Sequence, residues 1–422
     1  MGVDGAVIVG GGHGGFTAAV ALREQNYQGT ITLISDDEGL PYQRPPLSKA
    51  YLAGKVEAAK LAFRPVEFYQ RKAIDLINSR ADQVDPTART ITLENGRSLG
   101  YEHLILATGA TPRAANIPGS GLKGVYRLHS LRDAEILREK FETARKIVVI
   151  GGGYIGLEFA ATATARGKDV TIIQRASRLM ARSVTPLMSE YFLRQHQQWG
   201  ARVLLGAQVQ EIVGNAQGIV RSVRVRDNSD IEADLVVIGV GVDPNTGLAE
   251  RAGLEISNGV AVDRHLRTSD RNIFAIGDCA RFPTADAGVA VRRESVQNAV
   301  DQARCVAANL AGHDSIYQKV PLYWSDQQDR KLQVAGDSSD CDDIVPAGDT
   351  SGDGFTVYCF RDGTLIAVES VNRPSDHIAA RRVLTADAAP LSTSITPDLI
   401  THDLDLGAHV RLFATPVLDG TG

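Results

Sequence analysis

The stretch Ala6-Val7-Ile8-Val9-Gly10-Gly11-Gly12-His13-Gly14-Gly15 constrains the fold of this chain more than any other. Val7 to Val9 is a β-branched run suited to a buried parallel strand. Gly10, Gly12 and Gly15 then spell G-x-G-x-x-G at the entry to an apolar helix, Phe16 to Leu22. The first glycine makes the tight turn, the second lets backbone approach a pyrophosphate, and the third lets helix and strand pack closely. The phosphates then meet the free N–H groups of the helix. A second strand, Thr30 to Ile34, ends in Ser35-Asp36-Asp37, about 20 residues past the glycines, where Asp36 is expected to hold a ribose hydroxyl. Alone, the glycine pattern fits an empty turn as well; strand before, helix after and acid at this distance make it an adenine-dinucleotide site.

The pattern then repeats. Lys146-Ile147-Val148-Val149-Ile150-Gly151-Gly152-Gly153-Tyr154-Ile155-Gly156-Leu157-Glu158 restates it, with Gly151, Gly153 and Gly156 in the fingerprint positions. Two dinucleotides are therefore expected. The strand Asp169 to Ile173 ends not in an acid but in Gln174, with Arg175 and Arg178 close behind. A carboxylate there would accept from both ribose hydroxyls and repel a 2′-phosphate. Gln174 bonds a hydroxyl without repelling anything, and an arginine suits the phosphate. The repeat closes with the apolar run Asp234 to Gly241, which contains Gly239 and Val240, and with Asp243-Pro244-Asn245.

Between and beyond the repeats, Leu40 to Lys49 holds three prolines and reads as a stiff loop delivering Arg44 and Lys49. A short helix is expected over Pro65 to Lys72. Strands are expected at Ile74 to Ile77 and Thr90 to Leu93, with Asn95-Gly96 as a hairpin turn. His103 to Gly109 reads as a buried strand ending in Thr108-Gly109. Ile273 to Gly277 reads as another that ends in Asp278, a carboxylate costly to bury unless a polar ligand bonds it. Arg293-Glu294-Ser295-Val296 leads into a helix through about Leu310. From Pro321 the texture becomes short strands, including Phe355 to Phe360 and Thr364 to Ser370, then a helix over Asp376 to Thr385 and a tail: an α+β domain.

A length of 422 residues implies two or three domains. With 43% hydrophobic residues, 23% charged and a net charge of −5, neither disorder nor general nucleic-acid binding is favoured. No apolar run reaches the ~18 to 20 residues of a membrane span, and no basic leader precedes the first strand, so a cytoplasmic location without membrane attachment is expected. The cysteines, Cys279, Cys305, Cys341 and Cys359, lack C-x-x-C spacing. That argues against zinc, an iron–sulfur cluster or any metal site, and for reduced, mostly buried thiols.

The nested fingerprints, the Ala107-Thr108-Gly109 strand end and Phe274-Ala275-Ile276-Gly277-Asp278 together resemble the glutathione-reductase-like two-dinucleotide flavoenzymes. Within these, Pro41 to Lys49, Gly151 to Glu158, Glu294 to Ala299, Trp324-Ser325-Asp326-Gln327 and Val371-Asn372-Arg373-Pro374 are similar to the ferredoxin reductases of bacterial cytochrome P450 and Rieske oxygenase systems. The resemblance implies an α/β fold with two Rossmann-like domains and a C-terminal α+β domain. The FAD domain would span 1–112 and 246–320, the NAD domain 113–245, and the last domain 321–422. Disulfide-reducing relatives need a cysteine pair beside the flavin, and oxidase and peroxidase relatives one cysteine; this chain has none before Cys279. The implied activity is hydride transfer from NADH to FAD and single-electron delivery to a [2Fe–2S] ferredoxin, by a monomer or weak dimer. Reductases of rubredoxin or monodehydroascorbate, NADH oxidases and proteins of the apoptosis-inducing-factor type share the motifs.

Residue by residue, the resemblance implies that Gly14 and Asp36 hold the pyrophosphate and adenosine side of FAD and that Lys49 lies near the flavin ring. Asp278 would bond the ribityl or phosphate region, and Val296 would meet the ring through its backbone. Glu158 is expected to neutralise Lys49 when no nicotinamide is bound, and Trp324 to face the flavin; these three are the candidate catalytic residues. Further candidate cofactor contacts are Gly10, Gly12, Gly15, Arg44, Asp82, Thr108, Gly109, Gly277, Glu294 and Ser295 for FAD. For the nicotinamide nucleotide they are Gly151, Gly153, Tyr154, Ile155, Gly156, Gln174, Arg175, Arg182, Gly239, Val240 and Gly241. His129 stands where the family usually has an arginine near FAD, and Gln174 where NADH-using members usually carry an acid. His13 reads as a helix-start residue rather than a base. Arg304, Arg330 and Lys331 are the expected docking cations for an acidic ferredoxin.

Overall fold

The β-branched runs before the two glycine turns become the central strands of two five-stranded parallel sheets. The computed structural model describes residues 5–284, 289–385, 389–401 and 406–407. In chain order its helices are α1 (His13–Glu24), α2 (Val66–Arg71), α3 (Leu131–Thr143), α4 (Tyr154–Ala165), α5 (Pro186–Gln198), α6 (Gly247–Arg251), α7 (Val296–Leu310), α8 (Pro374–Val383), α9 (Ala389–Ser394) and α10 (Pro397–Thr401). The chain divides into two units. One comprises Met1–Ala114, His129–Arg138 and Gly241–Gln318, the other Ala115–Leu128, Glu139–Val240 and Lys319–Gly422.

In the first unit the sheet order is Ile273–Ala275, His103–Leu106, Gly5–Val9, Thr30–Ser35 and Ile74–Asn78. Val7 stands opposite Thr32 on one side and Leu104 on the other, so alternate side chains face opposite layers. Ile8, Ile31 and Ile105 pack under Ala18 and Leu22 of α1 and Ala303 and Val306 of α7. Val7, Val9, Ile34 and Leu104 pack on the other face against Val84, Ile91 and Leu93 of a three-stranded meander. Burial on both faces explains the continuous apolar runs, and each such side chain contributes about 1.5–3 kcal/mol. The triple-proline segment departs from a pure loop. Pro45–Ser48 is a 3₁₀ turn with prolines at its first positions, where no N–H is required.

The second unit carries the sheet Arg202–Leu205, Asp169–Gln174, Lys146–Ile150, Leu235–Ile238 and Val125–Tyr126. It also carries an antiparallel sheet ordered Leu322–Gln327, Arg330–Gly336, Thr364–Val371, Phe355–Arg361 and Asp343–Ala347. Tyr358, Phe360, Leu365 and Val368 of this sheet bury against Ala379, Ala380 and Val383 of α8. That helix starts earlier than its expected Asp376 because Pro374 is suited to the first helical position. The tail past residue 407 lies outside the described residues. Among those described, no helix is long and apolar enough to cross a membrane, and no cluster of His, Cys, Asp and Glu is set to hold a metal.

Candidate functional site

Each unit carries one glycine cradle. Gly10 has φ +115°, and a Cβ on Gly15 would stand 1.8 Å from the Gly10 carbonyl oxygen, so only hydrogen lets strand, turn and α1 meet. The second cradle repeats this, with Gly151 at φ +113° and a Gly156 Cβ 2.3 Å from the Gly151 oxygen. At Gly12 and Gly153, by contrast, nothing lies within 4 Å of a Cβ. The hydroxyls of Thr185 and Ser295 cap α5 and α7, whereas α1 and α4 begin on glycines with no side-chain cap. Open space beside an uncapped helix start fits a pyrophosphate, and both cradles have it.

Around the first cradle, Asp36 is exposed just past its strand. Its neighbour Asp37 is occupied: Arg44 Nη2 donates to it at 2.6 Å and the Tyr42 hydroxyl at 3.2 Å. Arg44 Nη1 also donates to the His129 carbonyl at 2.9 Å, which ties the proline segment to the start of α3. Burial and the adjacent Arg44 hold the His129 imidazole below its ordinary pKa. His13 is the first residue of α1, edge-on to Phe63 at 4.8 Å, and burial and Arg44 lower its pKa to about 4. Lys49 is half-buried after the 3₁₀ turn, and its Nζ donates to the Pro45 carbonyl at 3.0 Å. Thr108 donates its hydroxyl to the Asn245 carbonyl at 2.7 Å, and Asn245 returns bonds to the carbonyls of Thr108 and Gly109. Asp82 stands exposed on the meander, its carbonyl accepting from Arg251.

Asp278 is half-buried in the turn Gly277–Cys279. Burial, then Glu294, pushes its carboxyl up to about 6. Gln302 of α7 accepts from the Gly277 N–H at 2.7 Å, and Arg292 donates to the Asp278 carbonyl at 3.1 Å and to Glu294 at 2.8 Å. Arg292 Nε and Gln302 Nε2 are buried without a protein partner, which fits a polar ligand such as a flavin nucleotide beside Val296. Sequence reading missed both residues. The available signal was Gln302 on the face of α7 that also buries Ala299, Ala303 and Val306.

The raised Asp278 value has a testable sign. In flavin-free protein, the folded state holds this proton more tightly than the unfolded chain, so its stabilising effect is complete below about pH 4 and lost as pH rises through about 6. Asp278→Asn has no charge to bury. It is expected to raise the stability of the flavin-free protein by on the order of 2 kcal/mol at pH 8 and by little at pH 4. Thermal melts at both values check this; equal shifts at both would refute it.

At the second cradle Gln174 Oε1 accepts from the Gly152 N–H at 2.9 Å, and its Nε2 donates to the Arg178 carbonyl at 3.4 Å. Arg178 is a structural clamp, donating to Val184, Ser189 and Ala181, while Arg175 and Arg182 are exposed. Tyr154 opens α4 with its phenol pushed up by burial, and Ile155 beside it is 46% exposed. Gly239, Val240 and Gly241 follow the strand Leu235–Ile238, with the Gly239 carbonyl packed against Gly151. Glu158 on α4 is buried, and Ser325 Oγ donates to its Oε1 at 2.9 Å; Trp324, next to Ser325, is half-buried. Lys49 belongs to the first unit, Glu158 and Trp324 to the second.

Of the expected docking cations, Arg304 is 65% exposed on α7 and Lys331 is exposed on its strand. Arg330 requires correction. Its side chain is 12% exposed and bound to both Asp329 and Asp353, so its charge is neutralised within the fold.

Comparison with known proteins matches residues 5–303 to the pyridine nucleotide-disulphide oxidoreductase family and residues 322–399 to the reductase C-terminal family. Rhodocoxin reductase of Rhodococcus erythropolis is 44% identical over 401 residues, 95% of this chain and 93% of that protein. The ferredoxin reductase for the CYP199A2 system from Rhodopseudomonas palustris matches with a TM-score of 0.93 at 44% identity, covering 96% of this chain and 100% of that one. The covalent putidaredoxin reductase–putidaredoxin complex matches with 0.92 at 36% identity, covering 97% and 98%.

Proposed function

The chain belongs to the pyridine nucleotide-disulphide oxidoreductase family, and on that premise we propose that it is an NADH-dependent ferredoxin reductase delivering single electrons to a [2Fe–2S] ferredoxin of a cytochrome P450 or Rieske oxygenase system. The observation that carries this is a pair of uncapped glycine cradles in a chain with no cysteine before Cys279, without the early cysteine that thiol-using relatives need. When bound, FAD supplies the chemistry, accepting a hydride as an electron pair and releasing the electrons one at a time.

The residues bind, orient and adjust charge. The N–H groups opening α1 and α4 face the two pyrophosphates, and Asp36 accepts from a ribose hydroxyl. Asp278, steadied by Arg292 and Gln302, bonds the polar chain of the flavin nucleotide, and the start of α7 turns a partial positive charge toward it. Lys49 would favour electron density on the flavin ring, and Glu158, buried on α4 of the second cradle, would act on the nicotinamide side. Anaerobic mixing with NADH is expected to bleach the yellow protein and then reduce an added [2Fe–2S] ferredoxin. Bleaching without ferredoxin reduction would exclude this acceptor.

Arg304 and Lys331 serve as separate rim charges for an acidic ferredoxin, although the whole chain carries −5. Such charges act mainly on association rate and fade with salt. Arg304→Glu and Lys331→Glu are each expected to slow ferredoxin reduction about 3- to 10-fold at low salt, while NADH-driven ferricyanide reduction stays near wild type. Equal loss in both assays would mean that the residue supports the fold or the flavin instead.

A further inference from the structure

The second unit buries a chain of polar side chains that the reading above does not use. On the strand Leu322–Gln327, Ser325 and Gln327 alternate onto the buried face and are 0% exposed, while Trp324 and Asp326 point the other way. Ser325 Oγ lies 2.9 Å from Glu158 Oε1, Gln327 Nε2 lies 3.1 Å from Ser325 Oγ, and His196 Nε2 of α5 lies 2.8 Å from Gln327 Oε1. His196 is also 0% exposed, edge-on to Trp199 at 5.2 Å.

Donor and acceptor counting gives this chain a direction. Ser325 donates its one hydroxyl proton to Glu158 and therefore accepts from Gln327. The amide nitrogen of Gln327 therefore faces Ser325, and its oxygen faces His196, which carries its ring proton on Nε2. The remaining ring nitrogen, Nδ1, is a buried acceptor without a partner. Turning the amide over would place the ring proton on Nδ1, leaving a buried donor unpaired, the rarer arrangement in folded proteins. Burial lowers the His196 pKa to about 4, which keeps the ring neutral. Each donor thus points toward Glu158. A strand chosen only for packing would carry apolar side chains at these two inward positions, because a buried polar group is costly unless bonded.

We propose that Ser325, backed by Gln327 and His196, is a positioning residue for Glu158, fixing its carboxylate for the reduction of flavin by NADH. This rests on the reading that Glu158 acts on the nicotinamide side. The mechanism is geometric: one carboxylate oxygen is held by Ser325, so the orientation of the group on α4 is set from the adjacent strand rather than by its own rotamers.

The test is a double-mutant cycle on the FAD-loaded protein, read by anaerobic stopped flow with NADH. Ser325→Ala is expected to lower the limiting rate of flavin reduction about tenfold and to change the half-saturating NADH concentration less than about twofold. In a Glu158→Gln background the same substitution is expected to change the rate less than about twofold, because the group it positions is gone. Ser325→Thr, which keeps the hydroxyl, is expected to restore most of the rate. Ser325→Cys, close in shape with a weaker donor, is expected to fall between, and serves the cycle if the alanine variant fails to fold. An equal tenfold loss in both backgrounds would show a purely structural bond and overturn the proposal, as would no loss in either. If Glu158→Gln alone reduces flavin at the wild-type rate, the role of Glu158 falls and the proposal falls with it; if only Glu158→Gln slows reduction, the reading of Glu158 stands and the proposal alone fails.

Discussion

Gly15→Ala is expected to purify colourless. A Cβ at this position would lie 1.8 Å from the Gly10 carbonyl oxygen, a distance that forces α1 away from the turn because the obstacle is backbone. The displacement is expected to cost about 1–3 kcal/mol, as overpacking does, and to open the cradle whose N–H groups meet the pyrophosphate. Gly12→Ala makes the matched control, since a Cβ there meets nothing within 4 Å in the protein itself. It should melt as the flavin-free wild type does, yet retain little FAD, because the new methyl occupies the open face of the cradle. Flavin-to-protein ratios and melting curves separate the two effects, destabilisation with flavin loss at Gly15 and flavin loss alone at Gly12. A Gly12→Ala protein that keeps one FAD per chain would place the phosphates elsewhere.

What the sequence made legible here is what local sterics decide. The β-branched runs Val7 to Val9 and Lys146 to Ile150, the glycines that follow, and the turn at Asn95-Gly96 depend on neighbours a few residues away, and their elements appear where expected. The proline segment was read as a stiff loop and not as a 3₁₀ turn, because proline is allowed in a first turn and excluded only from an interior. Long-range bonds left no local pattern. Asn245 clasps Thr108 and Gly109 from the far end of the inserted segment, and Ser325 reaches Glu158 across 167 positions of chain. Arg330 shows the same limit in charge: its sign was readable, but its pairing with Asp353 is set by folding. Gln302 was hidden, and with it the bond of Arg292 to the Asp278 carbonyl, because the partners are backbone groups at Gly277 and Asp278, which carry no side-chain signature.

Lys49→Ala is expected to slow flavin reduction by NADH about 100-fold, the scale on which a preorganised donor acts on developing charge, while the protein keeps its yellow colour and melts near the wild-type temperature. The separation follows from how the residue is held. Its N–H donates to the Pro46 carbonyl at 3.0 Å and its own carbonyl accepts from Ala53 at 2.9 Å, so the backbone is fixed without the side chain. The bond from Nζ to the Pro45 carbonyl at 3.0 Å contributes about 1 kcal/mol net in a half-buried setting, a small part of the stability of a domain. An ammonium delivered by a rigid proline turn can instead act on charge that builds only as the flavin accepts the hydride, and such an interaction lowers the barrier without tightening nucleotide binding. Lys49→Arg keeps the charge but replaces a compact point with a planar fork, and is expected to fall between alanine and wild type. Stopped-flow reduction over a range of NADH concentrations distinguishes the cases. A limiting rate that falls while half-saturation stays constant is the expected result, and an unchanged limiting rate in Lys49→Ala would remove the residue from the chemistry.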